Sequence, residues 1–187
     1  VPARSLASPR AFEAYATALY AAGARQALML AGGARDAAGS LSSSLDLLDS
    51  GVMESLRYEH LFVAGHPQGS PDIDRRGLAD ALARKNDYAR RTGMPVTIVT
   101  QFGFDGEAVL DWAQAIGETG NRLPIRIGIA GPASITSLMK YAKMCGVNAS
   151  MSMLNRAGGR LLQLVGQASP DGLIVDLATK REGWAEL

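Results

Sequence analysis

An α/β fold built on parallel strands is predicted by three observations. Short apolar runs recur along the chain, each closes in glycine-rich or polar residues, and each is followed by a helical pattern of apolar positions. The runs Gln26 to Ala31, His60 to Gly65, Val96 to Thr100 and Ile125 to Ala130 are nearly continuous in apolar character, as parallel strands covered on both faces are. Their starts at residues 26, 60, 96 and 125 lie 34, 36 and 29 residues apart, one βα unit each. A further strand is expected to end at Val1 to Ala3.

The helices carry readable ends. Ser8 caps the first, with Pro9 in its first turn and Gly23 as its stop; Phe12, Tyr15, Ala16 and Leu19 form the expected inward stripe. Asp105 caps a second, with Val109, Trp112, Ala113 and Ile116 on one face and Gly120 near its end. Ser134 opens a third, with Ile135, Leu138, Met139, Ala142 and Cys145 in register. A last helix starts at Ser169-Pro170 and carries Leu173, Ile174 and Leu177. No linker interrupts the series, so residues 1–187 read as one domain. An α/β barrel and an open doubly wound sheet both satisfy this alternation, and both put function on the loops after the strands' carboxyl ends.

Composition narrows the chemistry. Of 187 residues 47% are hydrophobic, enough for a substantial core, while 19 basic and 18 acidic residues give a net charge of +1. No field of one sign exists to attract nucleic acid. One cysteine, Cys145, cannot form an internal disulfide, and two histidines, His60 and His66, cannot build an ordinary zinc site. No run of eighteen apolar residues or signal-peptide layout is present, so the expectation is a cytoplasmic protein that does not span a membrane. Homo-oligomerisation is compatible with the sequence.

Four loops are candidates for chemistry. After the first strong strand, Gly32-Gly33-Ala34-Arg35-Asp36 would let a ligand approach the backbone, and Ser42-Ser43-Ser44 can start a helix whose amide end favours an anion; a plain turn fits the same residues. The second loop, Gly65-His66-Pro67-Gln68-Gly69-Ser70-Pro71, is stiffened by prolines and gathers His66, Gln68 and Ser70, as a ligand clamp or a rigid surface loop would. Lys85 falls on the stripe of Leu78, Ala81, Leu82 and Ala89, either reaching with Arg84 toward a phosphate or, as the residues alone favour, snorkelling from an amphipathic face. The third loop, Val99 to Asp105, ends a strand in Gln101, a side chain that both donates and accepts, between Phe102 and Phe104; this suits a flat heterocycle and equally a packed strand end. The fourth, Ile129 to Ile135, has small residues that admit a ring close to the backbone.

Taken in order, these loops resemble methylenetetrahydrofolate reductases. Thr100-Gln101-Phe102-Gly103-Phe104-Asp105 matches the family's T-Q-F-x-F-D, its most specific element. Gly65 to Pro71 looks like its Y-P-E-x-H-P loop, Arg126 to Pro132 like its strand before the last crossover, and Lys140 to Val147 like a subset of bacterial members. The resemblance covers nearly the whole chain. It implies a (β/α)8 TIM barrel of which this chain supplies about strands 3 to 7, binding FAD, with NADH or NADPH as reductant, in one-carbon metabolism. The folate substrate would be 5,10-methylenetetrahydrofolate, converted to 5-methyltetrahydrofolate. On that resemblance Gln101 bonds the pterin, Phe102 and Ile135 line the substrate site, and Gly33 and Ala64 lie against the flavin. His66, Ser70, Arg84 and Lys85 contact the flavin ring, ribityl chain or phosphates. The family's catalytic acid, a glutamate on the first strand, is expected outside these residues.

Four positions depart from the family pattern. Ala34 stands where aspartate is usual, His66 for tyrosine, Gln68 for glutamate and Ser70 for histidine. The aspartate helps stabilise a cationic folate, so its absence bears on turnover unless Asp36 turns inward. The other three alter the flavin clamp.

Overall fold

The computed structural model describes residues 1–34, 36–103, 105–129, 133, 134, 137, 140, 167, 168 and 171–180. They form two compact units. The first comprises Val1–Gly65, Ala79–Val99 and Arg122–Arg126; the second comprises His66–Leu78, Thr100–Asn121 and Ile127–Leu187.

The first unit is a four-stranded parallel sheet whose strands follow one another in sequence order: β1 (Gln26–Met29), β2 (His60–Gly65), β3 (Val96–Thr100) and β4 (Ile125–Arg126). Register is set by Leu28 opposite Phe62 and Met29 opposite Val63, and by Val99 opposite Arg126. The expected strand at the amino terminus exists as a single parallel bridge, Pro2 to Leu30, extended by Ala3 N donating to Leu30 O and Leu30 N to Val1 O.

Helices connect the strands. Ser8 caps α1 (Pro9–Ala21) by accepting from Ala11 N at 3.1 Å, with Pro9 pre-set for the first turn. Phe12 and Ala16 are fully buried as the stripe requires. Tyr15, expected on that stripe, is 43% exposed, because it lies at the stripe's margin, where the ring turns to solvent. Between β1 and β2 run α2 (Ser44–Asp49) and a single turn, α3 (Val52–Ser55), which bury Leu47, Leu48 and Met53. The long α4 (Arg75–Thr92) joins β2 to β3.

Burial alternates along β1 and β2. Leu61 and Val63 are fully buried, while His60, Phe62 and Ala64 between them are half-buried; in β1, Met29 is buried and Leu28 is exposed. Strands covered on both faces are the expectation; β3 meets it over Val96, Thr97 and Ile98, all buried, whereas in β1 and β2 one face is closed and the other half-open. The cause is topological. When parallel strands are added in sequence order, each right-handed crossover falls on the same side of the sheet.

The second unit contains α5 (Gly106–Glu118) and α6 (Asp171–Lys180), and a two-residue antiparallel pair, β5 (Ala133–Ser134) with β6 (Gln167–Ala168). Asp105 caps α5 by accepting from Ala108 N at 3.1 Å, and Val109 is buried while Trp112, Ala113 and Ile116 are half-buried. Ser134 lies in β5, and its hydroxyl accepts from Ser137 N at 3.2 Å. The stripe of the helix expected to open there, Ile135, Leu138, Met139, Ala142 and Cys145, lies outside the described residues. Among the described residues no helix is long and apolar enough to cross a membrane.

Candidate functional site

The loops at the carboxyl ends of the strands hold most of the residues singled out from the sequence. In the first unit, Gly33 follows β1 and is exposed, with open space where a Cβ would stand. The loop around it is fastened to the amino-terminal segment: Arg4 donates through Nη1 to Ala34 O at 3.2 Å and through Nε to Ser42 O at 3.1 Å. A guanidinium thus lies beside the position where the resemblance places an aspartate. Asp36 is exposed.

The serine run does start a helix, but its amide end is served from within. Ser43 and Asp46 form a reciprocal capping box on α2, and Asp46 Oδ2 accepts from the backbone N of Ser42 at 2.8 Å and of Ser43 at 2.9 Å. Although partial burial acts to raise it, these bonds hold the Asp46 carboxyl below its ordinary value. The anion at this end is the chain's own.

Arg84 and Lys85 diverge within α4. Arg84 is exposed and ion-paired with Asp49 on α2. Lys85 is only 7% exposed, and its Nζ donates to Ala64 O at 2.9 Å, at the carboxyl end of β2. The snorkelling lysine favoured by the bare residues is therefore corrected to a buried amine held by a strand carbonyl. Burial pulls its pKa down to about 8.

In the second unit, residues 66–70 are half-buried and built as a tight turn. Gly69 N donates to His66 O at 3.0 Å across Pro67-Gln68, and Gly69 takes φ 84°, which favours glycine. Ser70 Oγ accepts from Asp72 N at 3.2 Å; a hydroxyl can do so and still donate its own hydrogen. Gln68 Oε1 is buried without a hydrogen-bond partner among the described residues.

Gln101 and Phe102 are half-buried and directly follow β3. Their position is set by a residue not singled out from the sequence. Thr100, 4% exposed, accepts through Oγ1 from Gly128 N at 2.8 Å, and Gly103 bridges Ile129 in parallel. A Cβ at Gly128 would lie 2.4 Å from Thr100 O, so the two segments meet this closely only because residue 128 is glycine. A small hydroxyl residue ending a buried strand just before the glutamine was the available signal. Phe104, Ala130 and Ile135 lie outside the described residues.

No protein-family model matches the chain. Its class rests on the fold, a parallel α/β sheet in sequence order with its polar loops at the strands' carboxyl ends.

Proposed function

We propose that the chain contributes about strands 3 to 7 of a (β/α)8 barrel that binds FAD and reduces 5,10-methylenetetrahydrofolate to 5-methyltetrahydrofolate with NADH or NADPH. The observation that carries this reading is the strand order. Sequential parallel strands with helices on one side and a half-open face on the other are what a closing barrel needs, whereas a doubly wound sheet reverses its order and covers both faces.

Bound flavin supplies the hydride transfer, and the chain's groups bind and orient. The residues fit such a group in several respects. In the first unit Gly33 has open space above its backbone and Lys85 has donors beyond the one given to Ala64 O; in the second, Gln68 offers a buried acceptor unpaired among the described residues. Arg84 fits less well, since Asp49 engages its guanidinium. Gln101, held by the Thr100–Gly128 clamp, would present an amide that donates to and accepts from a pterin edge, with Phe102 lining the site. His66 and Ser70 replace a larger ring and a longer donor, so flavin is expected to bind more weakly than in relatives with the full clamp.

A second reading is a flavin- or folate-binding barrel with little reductase turnover, linked to demethylation onto tetrahydrofolate. Arg4 favours it, because a positive charge on the Ala34 carbonyl opposes a cationic folate where the family uses a carboxylate. One assay separates the two. Protein loaded with FAD either oxidises NADH or NADPH with methylenetetrahydrofolate as acceptor, or binds flavin and folate without turnover. Failure to bind either ligand by a folded protein refutes both readings.

A further inference from the structure

Three buried polar side-chain atoms lack a hydrogen-bond partner among the described residues: Glu54 Oε2, the Tyr88 hydroxyl and Gln68 Oε1. The first two lie near each other, close enough that the Glu54 charge adds to burial in raising the Tyr88 pKa. Only Gln68 stands on a loop at the carboxyl end of a strand. Resting on the flavin reading above, we infer that Gln68 recognises the imide edge of the flavin ring, its Oε1 accepting from the ring N3–H.

Geometry and chemistry agree. The Gln68 backbone is fixed between Pro67 and Gly69 in a turn closed by the 3.0 Å bond from Gly69 N to His66 O, so its side chain starts from a defined point just past β2. A buried carbonyl oxygen without a donor carries its full desolvation cost, which a ligand N–H relieves. The flavin N3–H is flanked by two ring carbonyls. A carboxamide can accept from N3–H and donate to one of those carbonyls in a parallel pair, whereas a carboxylate could only accept and would set its second oxygen against a carbonyl. Glutamine rather than glutamate at position 68 is therefore the residue suited to a neutral imide.

The test compares two ligands on the full chain, so it does not depend on any variant folding. Titration with riboflavin and with 3-methylriboflavin, followed by flavin fluorescence, is expected to show that methylation at N3 weakens binding by about tenfold. Gln68→Met should bind both ligands equally, with an unchanged circular dichroism spectrum, and Gln68→Glu, which keeps an acceptor, should retain part of the preference. Equal binding of the two ligands by the native protein, or an intact preference in Gln68→Met, overturns the assignment and leaves the flavin reading standing. Absence of riboflavin and FAD binding by folded protein overturns the flavin reading and this assignment with it.

Discussion

The two faces of the sheet are made from alternate residues of the same strands, yet they obey different rules. On the closed face Met29, Leu61 and Val63 are wholly apolar and fully buried. On the other face, half-open along β1 and β2, His60 Nε2 meets the buried Thr97 Oγ1 at 2.8 Å, the His60 and Phe62 rings stack at 4.6 Å, and Arg126 lies 5.0 Å over Phe62. The closed face is chosen for volume and water exclusion, the other for polar and aromatic pairings that survive partial solvation. Stability should therefore reside on one side of β1 and β2.

Neighbouring substitutions in β2 test this most strongly. Leu61→Ala should cost about 2–5 kcal/mol in urea unfolding, and Phe62→Ala, despite removing the larger side chain, roughly half of that or less. Equal losses would dissolve the distinction between the faces.

Lys85 is the charged exception among the described buried residues. Its folded pKa of about 8 lies below the ordinary 10.5, so the unfolded chain binds the proton more tightly. Stability should rise with pH between about 8 and 10.5 and carry the whole penalty below 8. That penalty is about 3 kcal/mol, from which about 1 kcal/mol is subtracted for the bond to Ala64 O. Lys85→Met is thus expected to gain about 2 kcal/mol at pH 7, with the gain shrinking toward pH 10.5; thermal or urea unfolding of both proteins across that range checks it. A gain independent of pH would mean that the folded amine keeps its ordinary pKa and stays charged throughout.

At the buried Thr97, Thr97→Val should cost about 1 kcal/mol and change the imidazole NMR signals of His60, since it deletes the bond between them. A silent His60 spectrum would show that water replaces the threonine without consequence. The smallest effect is assigned to the exposed pair: Arg84→Gln should change stability by no more than about 0.5 kcal/mol, and less in high salt. A larger loss would show that Asp49 needs its partner.

The sequence was most legible where local and tertiary signals coincide. β2 and β3 begin and end where their apolar runs do, because Gly65 and Thr100 stand at turns into polar loops. β1 stops at Met29, and the rest of its run is spent pairing Leu30 with Pro2. The single turn α3 was not anticipated, since four residues are too few to display a helical period. At the candidate site, the position of Gln101 after a strand was readable, but its clamp by Thr100 and Gly128 joins residues 28 apart and leaves no local trace. Lys85 was placed on the correct face of α4; its depth depends on how closely the helix approaches the Ala64 carbonyl, which periodicity does not encode. The unpaired Gln68 oxygen is likewise a property of packing.

The amino-terminal clasp has a consequence for how the protein opens. Leu30 N bonds Val1 O, Ala3 N bonds Leu30 O, Arg4 N bonds Ala31 O, Ala38 N bonds Arg4 O, and the Arg4 side chain holds Ala34 and Ser42. These bonds tie the first four residues to Leu30, Ala31, Ala34, Ala38 and Ser42 along the glycine-rich loop, so fraying of one releases the other. Their amides form one exchange unit, protected or exposed to solvent deuterium together, and a tag or cut that loosens Val1 loosens the loop around Gly33.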